Sequence, residues 1–201
     1  MRPGNEAILV IDIQNDFCPG GALAVPGGDE IVAPINAMVP EFAVRVFTQD
    51  WHPADHLSFA SQHGGHDPFT LIEMPYGPQV LWPDHCIIGS EGAAFHTSLD
   101  LGPADLIVRK GFRREIDSYS AFFENDHETS TGLDGYLRSR GVESVTLVGL
   151  ATDFCVNYSA VDAARLGFKV TVIDSLCRAI DLDGSLDAAR DGMVSAGVTL
   201  A

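Results

Sequence analysis

Short runs of apolar, largely β-branched residues recur along the chain, separated by segments whose apolar residues fall at helical spacing. The runs are Ala7–Ile11, Val44–Thr48, Leu106–Val108, Ser144–Val148 and Lys169–Val172, with Val198–Leu200 as a sixth candidate. Helical spacing covers Gly28–Phe42, Thr131–Ser139, Val156–Leu166 and Ser185–Ala196. Strands this uniformly apolar are buried on both faces, and the intervening helices supply the crossovers that parallel neighbours require. The predicted fold is a doubly wound α/β domain: a mainly parallel sheet with helices on both faces. Gly141 and Gly167 each stand just past a helical segment, where a chain leaving a helix adopts φ > 0.

A chain of 201 residues, 46% hydrophobic and 20% charged, has material for one sizeable core, and a single domain over residues 1–201 is expected. The formal net charge of −16 repels phosphate backbones and anionic headgroups, so neither nucleic acid nor membrane is expected as a partner. Met1–Glu6 carries Arg2-Pro3-Gly4 and runs straight into the first apolar run, a pattern of neither a signal nor a transit peptide. No stretch approaches the roughly 18 to 20 apolar residues of a membrane span, and a cytoplasmic location is expected. Cys18, Cys86, Cys155 and Cys177 show no C-x-x-C spacing and read as reduced thiols.

In an open parallel sheet the site lies beyond the carboxyl ends of the strands. Polar residues stand at those ends in this chain: Asp12 closes the first run, Asp50 follows the second, and Arg109-Lys110 ends the third. The fourth opens into Gly149-Leu150-Ala151-Thr152-Asp153-Phe154-Cys155. A charged residue at one strand end is commonly only the first solvated position. An acid, a lysine and a thiol on one rim together form the parts of an activated nucleophile. Cys155, at the start of a helix and near Lys110, is expected to have a lowered pKa, with Asp12 taking its proton and passing it to a leaving amine.

The stretch from Trp51 to Leu101, rich in Pro, Gly and His, shows no sustained period, and such a long loop in a compact domain is usually functional. It holds a second cluster, Asp50-Trp51-His52-Pro53-Ala54-Asp55-His56 and Trp82-Pro83-Asp84-His85-Cys86. Asp50 and His52, two apart on extended chain, point the same way and suit one metal ion, with His85 closing the set and His56 as a further candidate. Oxygen and imidazole ligands suit a single divalent ion, zinc first, with iron or manganese as alternatives. His63, His66, His96 and His127 read as ordinary solvated or packed residues.

Five ordered blocks carry a resemblance: Asp12 to Leu23 (DIQNDFCPGGAL), Thr48 to Pro53 (TQDWHP), Trp82 to Cys86 (WPDHC), Lys110-Gly111, and Gly149 to Cys155 (GLATDFC). From Ala7 to about Leu176 the chain resembles the nicotinamidase/pyrazinamidase branch of the isochorismatase-like cysteine hydrolases. The resemblance implies a six-stranded parallel sheet and a triad of Asp12, Lys110 and Cys155. It implies a metal held by Asp50, His52, His85 and also His56, receiving the pyridine nitrogen of nicotinamide or pyrazinamide. It further implies a cis Leu150–Ala151 bond that aims the amides of Ala151 and Cys155 at the substrate oxygen. Phe17, Trp82 and Tyr119 would line the ring pocket, while residues 62–79 offer no carry-over.

The expected reaction is hydrolysis of nicotinamide to nicotinate and ammonia through a thioester on Cys155, as in NAD salvage. The rival within the superfamily is an amidase for N-carbamoyl or ureido acids, whose anionic substrates call for a cationic clamp. A homo-oligomer is compatible with the sequence, which does not specify one.

Overall fold

The computed structural model describes residues 3–201. Met1 and Arg2, which open the segment read above as neither signal nor transit peptide, lie outside the described residues. The elements of the main sheet are β1 (Glu6–Ile11), β2 (Val44–Asp50), β5 (Leu106–Lys110), β6 (Ser144–Leu150), β7 (Lys169–Arg178) and β8 (Thr199–Leu200). Helices α1 (Val32–Met38), α2 (Leu133–Ser139), α3 (Asn157–Arg165) and α4 (Ser185–Ser195) alternate with them. A separate antiparallel hairpin pairs β3 (Leu71–Met74) with β4 (Gly77–Val80).

The six strands lie in the order β5-β2-β1-β6-β7-β8, and every pairing is parallel. The chain winds outward from β1 through β2 to β5, then returns to β6 on the other side of β1 and winds out to β8. Right-handed crossovers in two opposite directions put helices on opposite faces. Ala7 to Ile11 alternate between those faces, yet each is at most 1% exposed, so β1 is covered on both sides. All six predicted strands are present, and the predicted sixth pairs with β7.

The helices are each somewhat shorter than their sequence patterns, most of all α1, which is trimmed at both ends. Gly132 at φ 91° holds back α2 until Leu133, and α1 gives way after Met38 to a 3-10 turn over Val39–Glu41 that contains Pro40, which has no N–H to donate. Gly141 and Gly167 take φ values of 69° and 90°, as their positions after helices require. The hairpin was not foreseen: its strands are four residues long and only Gln79 is buried, so they carry no strong alternation. Bridges His52↔Ile87 and Phe59↔Trp82 tie the rest of the irregular stretch together. No helix among the described residues is long and apolar enough to cross a membrane.

The winding direction reverses between β1 and β6, and the carboxyl ends of those neighbouring strands border the crevice where such sheets bind ligands. Gly149 is required there. At φ 126°, a Cβ would overlap Ile11 O and stand 2.8 Å from Ile11 N, which would drive the two central strands apart.

Candidate active site

Asp12 leaves β1 at φ 46° and is wholly buried. Its backbone N–H donates to Thr48 Oγ1 at 3.1 Å, and the Thr48 hydroxyl donates back to Asp12 Oδ1 at 2.6 Å. The second carboxylate oxygen, Oδ2, is thereby turned to Lys110, whose Nζ lies 2.9 Å away. Lys110, also fully buried, hydrogen-bonds the Asp50 carboxylate, donates to Ser118 O at 2.8 Å and stands 3.5 Å from Cys155 Sγ. An ammonium has three hydrogens, and they go to Asp50, Ser118 O and the Cys155 sulfur, while Asp12 Oδ2 meets Lys110 as an ion pair. Carboxylate oxygens of Asp12 and Asp50 and the Cys155 sulfur all lie within 4.8 Å of one another.

These groups shift each other's ionisation. Burial raises the Asp12 carboxyl, the charge of Asp50 pushes the same way, and Lys110 and the Thr48 hydrogen bond pull back only part of that rise. Burial opposes the charge on Lys110, but Asp12 and Asp50 more than offset it and hold the ammonium well above its usual range. Cys155 corrects the expectation drawn from sequence. Burial raises its thiol well above normal, and Asp12 and Asp50 add to that, while Lys110 lowers it by less. The helix start and the lysine do not outweigh two neighbouring carboxylates in a buried setting. Cys155 also sits inside a π-helical turn, Thr152–Val156, that precedes α3. A thiol that keeps its proton needs a base in contact, and a carboxyl of raised basicity is better suited to that task.

One ligand atom from each of Asp50, His52 and His85 lies within 4.8 Å of the others, with His52 Nε2 3.7 Å from Asp50 Oδ2. Gln14, in the turn after β1, fixes the backbone of Asp50 by accepting its N–H at 2.7 Å and donating to its carbonyl at 2.9 Å. His52 Nδ1 is 2.8 Å from Gly111 O, and His85 Nδ1 is 2.8 Å from Pro83 O. A carbonyl only accepts, so each Nδ1 carries the hydrogen, and in the neutral ring each Nε2 has its lone pair free for a cation. Burial lowers His52, but the Asp50 carboxylate more than offsets it and raises it above its ordinary value, so a cation there takes the place of a proton. Burial and the neighbouring His52 lower His85 to about 4, which keeps it neutral at physiological pH. The three residues therefore fit a divalent ion. His56 is differently arranged: its Nδ1 accepts from Ser58 N–H at 3.2 Å, which leaves the proton on Nε2, 3.3 Å from Ile116 O. Its ring stands 4.5 Å from that of His52, and it groups with His52 and Asp117.

Phe17, Trp82 and Tyr119 line one cavity together with Asp50, His85, Ala151 and Cys155. The Tyr119 hydroxyl accepts from Trp82 Nε1 at 3.0 Å and from Gln79 Nε2 at 2.9 Å. The Leu150–Ala151 bond is cis. Leu23, Asp117, Phe154 and Ile180 also face the cavity and were missed in the sequence. Phe154, with its ring 4.8 Å from that of Trp82, was within reach of sequence reasoning because it adjoins Cys155 in a singled-out block. Of the other histidines, His63 donates to or accepts nothing from this cluster and bonds Leu57 O at 2.8 Å.

The Isochorismatase domain family matches residues 6–201. A nicotinamidase from Acinetobacter baylyi is 55% identical over 197 residues, covering 98% of this chain and 92% of its own. Among solved structures, a nicotinamidase/pyrazinamidase from Acinetobacter baumanii superposes with a TM-score of 0.98 at 52% identity, covering 100% of this chain and 97% of its own. A pyrazinamidase from Pyrococcus horikoshii in complex with zinc gives a TM-score of 0.79 at 33% identity and covers 98% of each chain.

Proposed function

The chain belongs to the isochorismatase-domain family, and on that footing we propose that it is a nicotinamidase that hydrolyses nicotinamide, and also pyrazinamide, to the acid and ammonia. One observation carries the reading. Cys155, in contact with a buried acid–lysine pair, opens onto the same aromatic-walled cavity as the nitrogen and oxygen donors of Asp50 and His85. An aromatic slot with a cation seat and a thiol suits a flat ring bearing a basic nitrogen and a carboxamide.

In this reading the Cys155 thiol gives its proton to Asp12 as sulfur bonds to the carboxamide carbon. The electron pair of the C=O moves to oxygen, where the backbone N–H groups of Ala151 and Cys155 receive it. The C–N bond then breaks as Asp12 returns the proton to nitrogen, releasing ammonia and leaving a thioester. Water adds to the thioester with Asp12 as base, and the proton goes back to sulfur as the carboxylic acid leaves. Lys110 holds Asp12 in place and offsets negative charge through both steps. Phe17, Trp82 and Tyr119 clasp the ring, fixing the carboxamide within reach of the sulfur.

Asp50, His52 and His85 would hold the divalent ion. We favour zinc, on the mixed imidazole and carboxylate donors and on the zinc complex of the related pyrazinamidase; iron or manganese suits the same donors. When bound, the ion supplies a Lewis-acid partner for the ring nitrogen. Four free, buried cysteines fit a reducing cytosolic compartment. Against the carbamoyl-acid rival stands the absence of a cationic clamp: no arginine lines the cavity among the described residues, and the ammonium of Lys110 is taken up by Asp12, Asp50 and Ser118 O. Ammonia release from nicotinamide, pyrazinamide and an N-carbamoyl amino acid, measured side by side, tests the reading. Preference for the last would overturn it.

A further inference from the structure

Asp117 is 2% exposed and faces the cavity, yet none of the roles described so far uses it. Its Oδ2 accepts from Gln79 Nε2 at 2.8 Å and its Oδ1 from Ser118 N–H at 2.8 Å. Both donors are neutral, and no basic side chain pairs with it among the described residues. A buried carboxylate without a cation is costly, and proteins commonly offset it with a bound ion. The pairing agrees: Asp12, Asp50 and Asp117 are all buried, and Lys110 forms ion pairs with the first two only.

A carboxylate oxygen of Asp117 lies within 4.8 Å of ring nitrogens of both His52 and His56. His52 is also a member of the Asp50–His52–His85 set, and Asp117 lines the same cavity as Asp50 and His85, so it stands beside that position. His56 cannot serve in the same way while its Nε2 carries the proton, as the Ser58 N–H donation to Nδ1 dictates. Gln79 is fully buried and held in turn, accepting from Tyr76 OH and Asn125 Nδ2, both at 3.1 Å. It therefore fixes where Asp117 points. This gives the hairpin strand β4, otherwise silent in the chemistry, a task at the site.

We propose that Asp117, positioned by Gln79, is the further carboxylate that retains the divalent ion at Asp50, His52 and His85, a part the sequence offered to His56. The inference rests on the metal reading given above. Zinc affinity would be measured by competition with a chromophoric chelator on D117N, Q79M and H56N, with melting followed in parallel with and without zinc. D117N is expected to bind zinc about tenfold or more weakly and Q79M several-fold more weakly, as loss of groups around a metal's ligands commonly does, with H56N affected less than D117N. D117N loses one of the two accepted hydrogen bonds and can lower the metal-free melting temperature for that reason alone, so the deciding readout is the rise in melting temperature that zinc produces. That rise should shrink in D117N, whereas a purely structural residue would lower both melts and leave the rise unchanged. D117N affinity within about twofold of wild type, or a larger loss in H56N, overturns the assignment. Should D117N fail to fold, unchanged affinity in Q79M overturns it equally. Wild-type protein that binds no divalent ion would sink the metal reading itself, an outcome separate from all of these.

Discussion

Lys110 Nζ lies 2.9 Å from Asp12 Oδ2 while also hydrogen-bonding the Asp50 carboxylate, so one buried ammonium joins the acid beside the thiol to the acid on the metal side. Replacing it by methionine would leave two buried carboxylates facing each other. Lys110→Met is expected to cost about 3–5 kcal/mol of stability, the range for removing one partner of a buried pair. Turnover should fall on the order of 10²–10³-fold or more, as when a charge-stabilising group is lost. Urea unfolding and ammonia release measure the two effects, and a variant with near wild-type turnover would remove Lys110 from the chemistry.

Thr48→Val deletes the hydroxyl that donates to Asp12 Oδ1 at 2.6 Å. That hydrogen bond favours the ionised carboxylate, so its loss should raise the Asp12 pKa further. The base form is then present only at higher pH, and the acidic limb of the kcat/KM profile is expected to move to higher pH than in wild type. A limb that stays in place, or moves down, contradicts Asp12 as the base that controls it.

Cys155→Ala should abolish turnover while ring binding persists, because the sulfur supplies the atom that forms the new bond and little of the cavity wall. The expected loss is at least on the order of 10⁴-fold, as for other enzymic nucleophiles, and Cys155→Ser should be nearly as inactive. An aldehyde in place of the carboxamide should add reversibly to wild-type sulfur and bind far more tightly than nicotinamide. An adduct mass that appears equally in Cys155→Ala would exclude Cys155 as the nucleophile.

The strand-end residues were legible because each follows an apolar run whose burial is fixed by composition, and the parallel order then brings the ends together. Asp12, Lys110 and Cys155 converge for that reason. Gln14, Gln79 and Asp117 were not legible. Each works through a partner about 36 to 40 residues away, across segments without periodicity, and nothing in a single sequence reports such meetings. The Cys155 ionisation was misjudged for a related reason: helix start and lysine are visible in sequence, whereas burial beside two carboxylates is a property of the assembled crevice.

Gly111 follows Lys110 at φ 69°, and its carbonyl holds His52 Nδ1. A Cβ there would overlap His52 Cε1 and stand 2.7 Å from Nδ1. Gly111→Ala should therefore displace the His52 ring, lower metal content and cost about 1–3 kcal/mol through strain and overpacking. Full metal content with unchanged stability would show that the loop yields freely and that the glycine is not needed for the ring's position.

The metal can be separated into template or scaffold by comparing two amides. If the ion at Asp50, His52 and His85 receives the pyridine nitrogen, removing it should weaken binding of nicotinamide much more than binding of benzamide, which has no ring nitrogen. A structural ion behaves otherwise, because its binding free energy is folding free energy, and its loss harms every ligand and the melting temperature together. The core argues for the first outcome: β1 and its neighbours are buried without help from the donor set, which begins at Asp50, the last residue of β2, and continues in the loops beyond it. His52→Ala and His85→Ala should reproduce the effect of a chelator, since both rings present a free Nε2, whereas His56→Ala should do so less, with its Nε2 carrying the proton. The measurement is elemental analysis together with binding of both amides, with and without chelator. Equal weakening of the two amides would make the ion structural, and selective weakening of nicotinamide would assign it to the ring nitrogen.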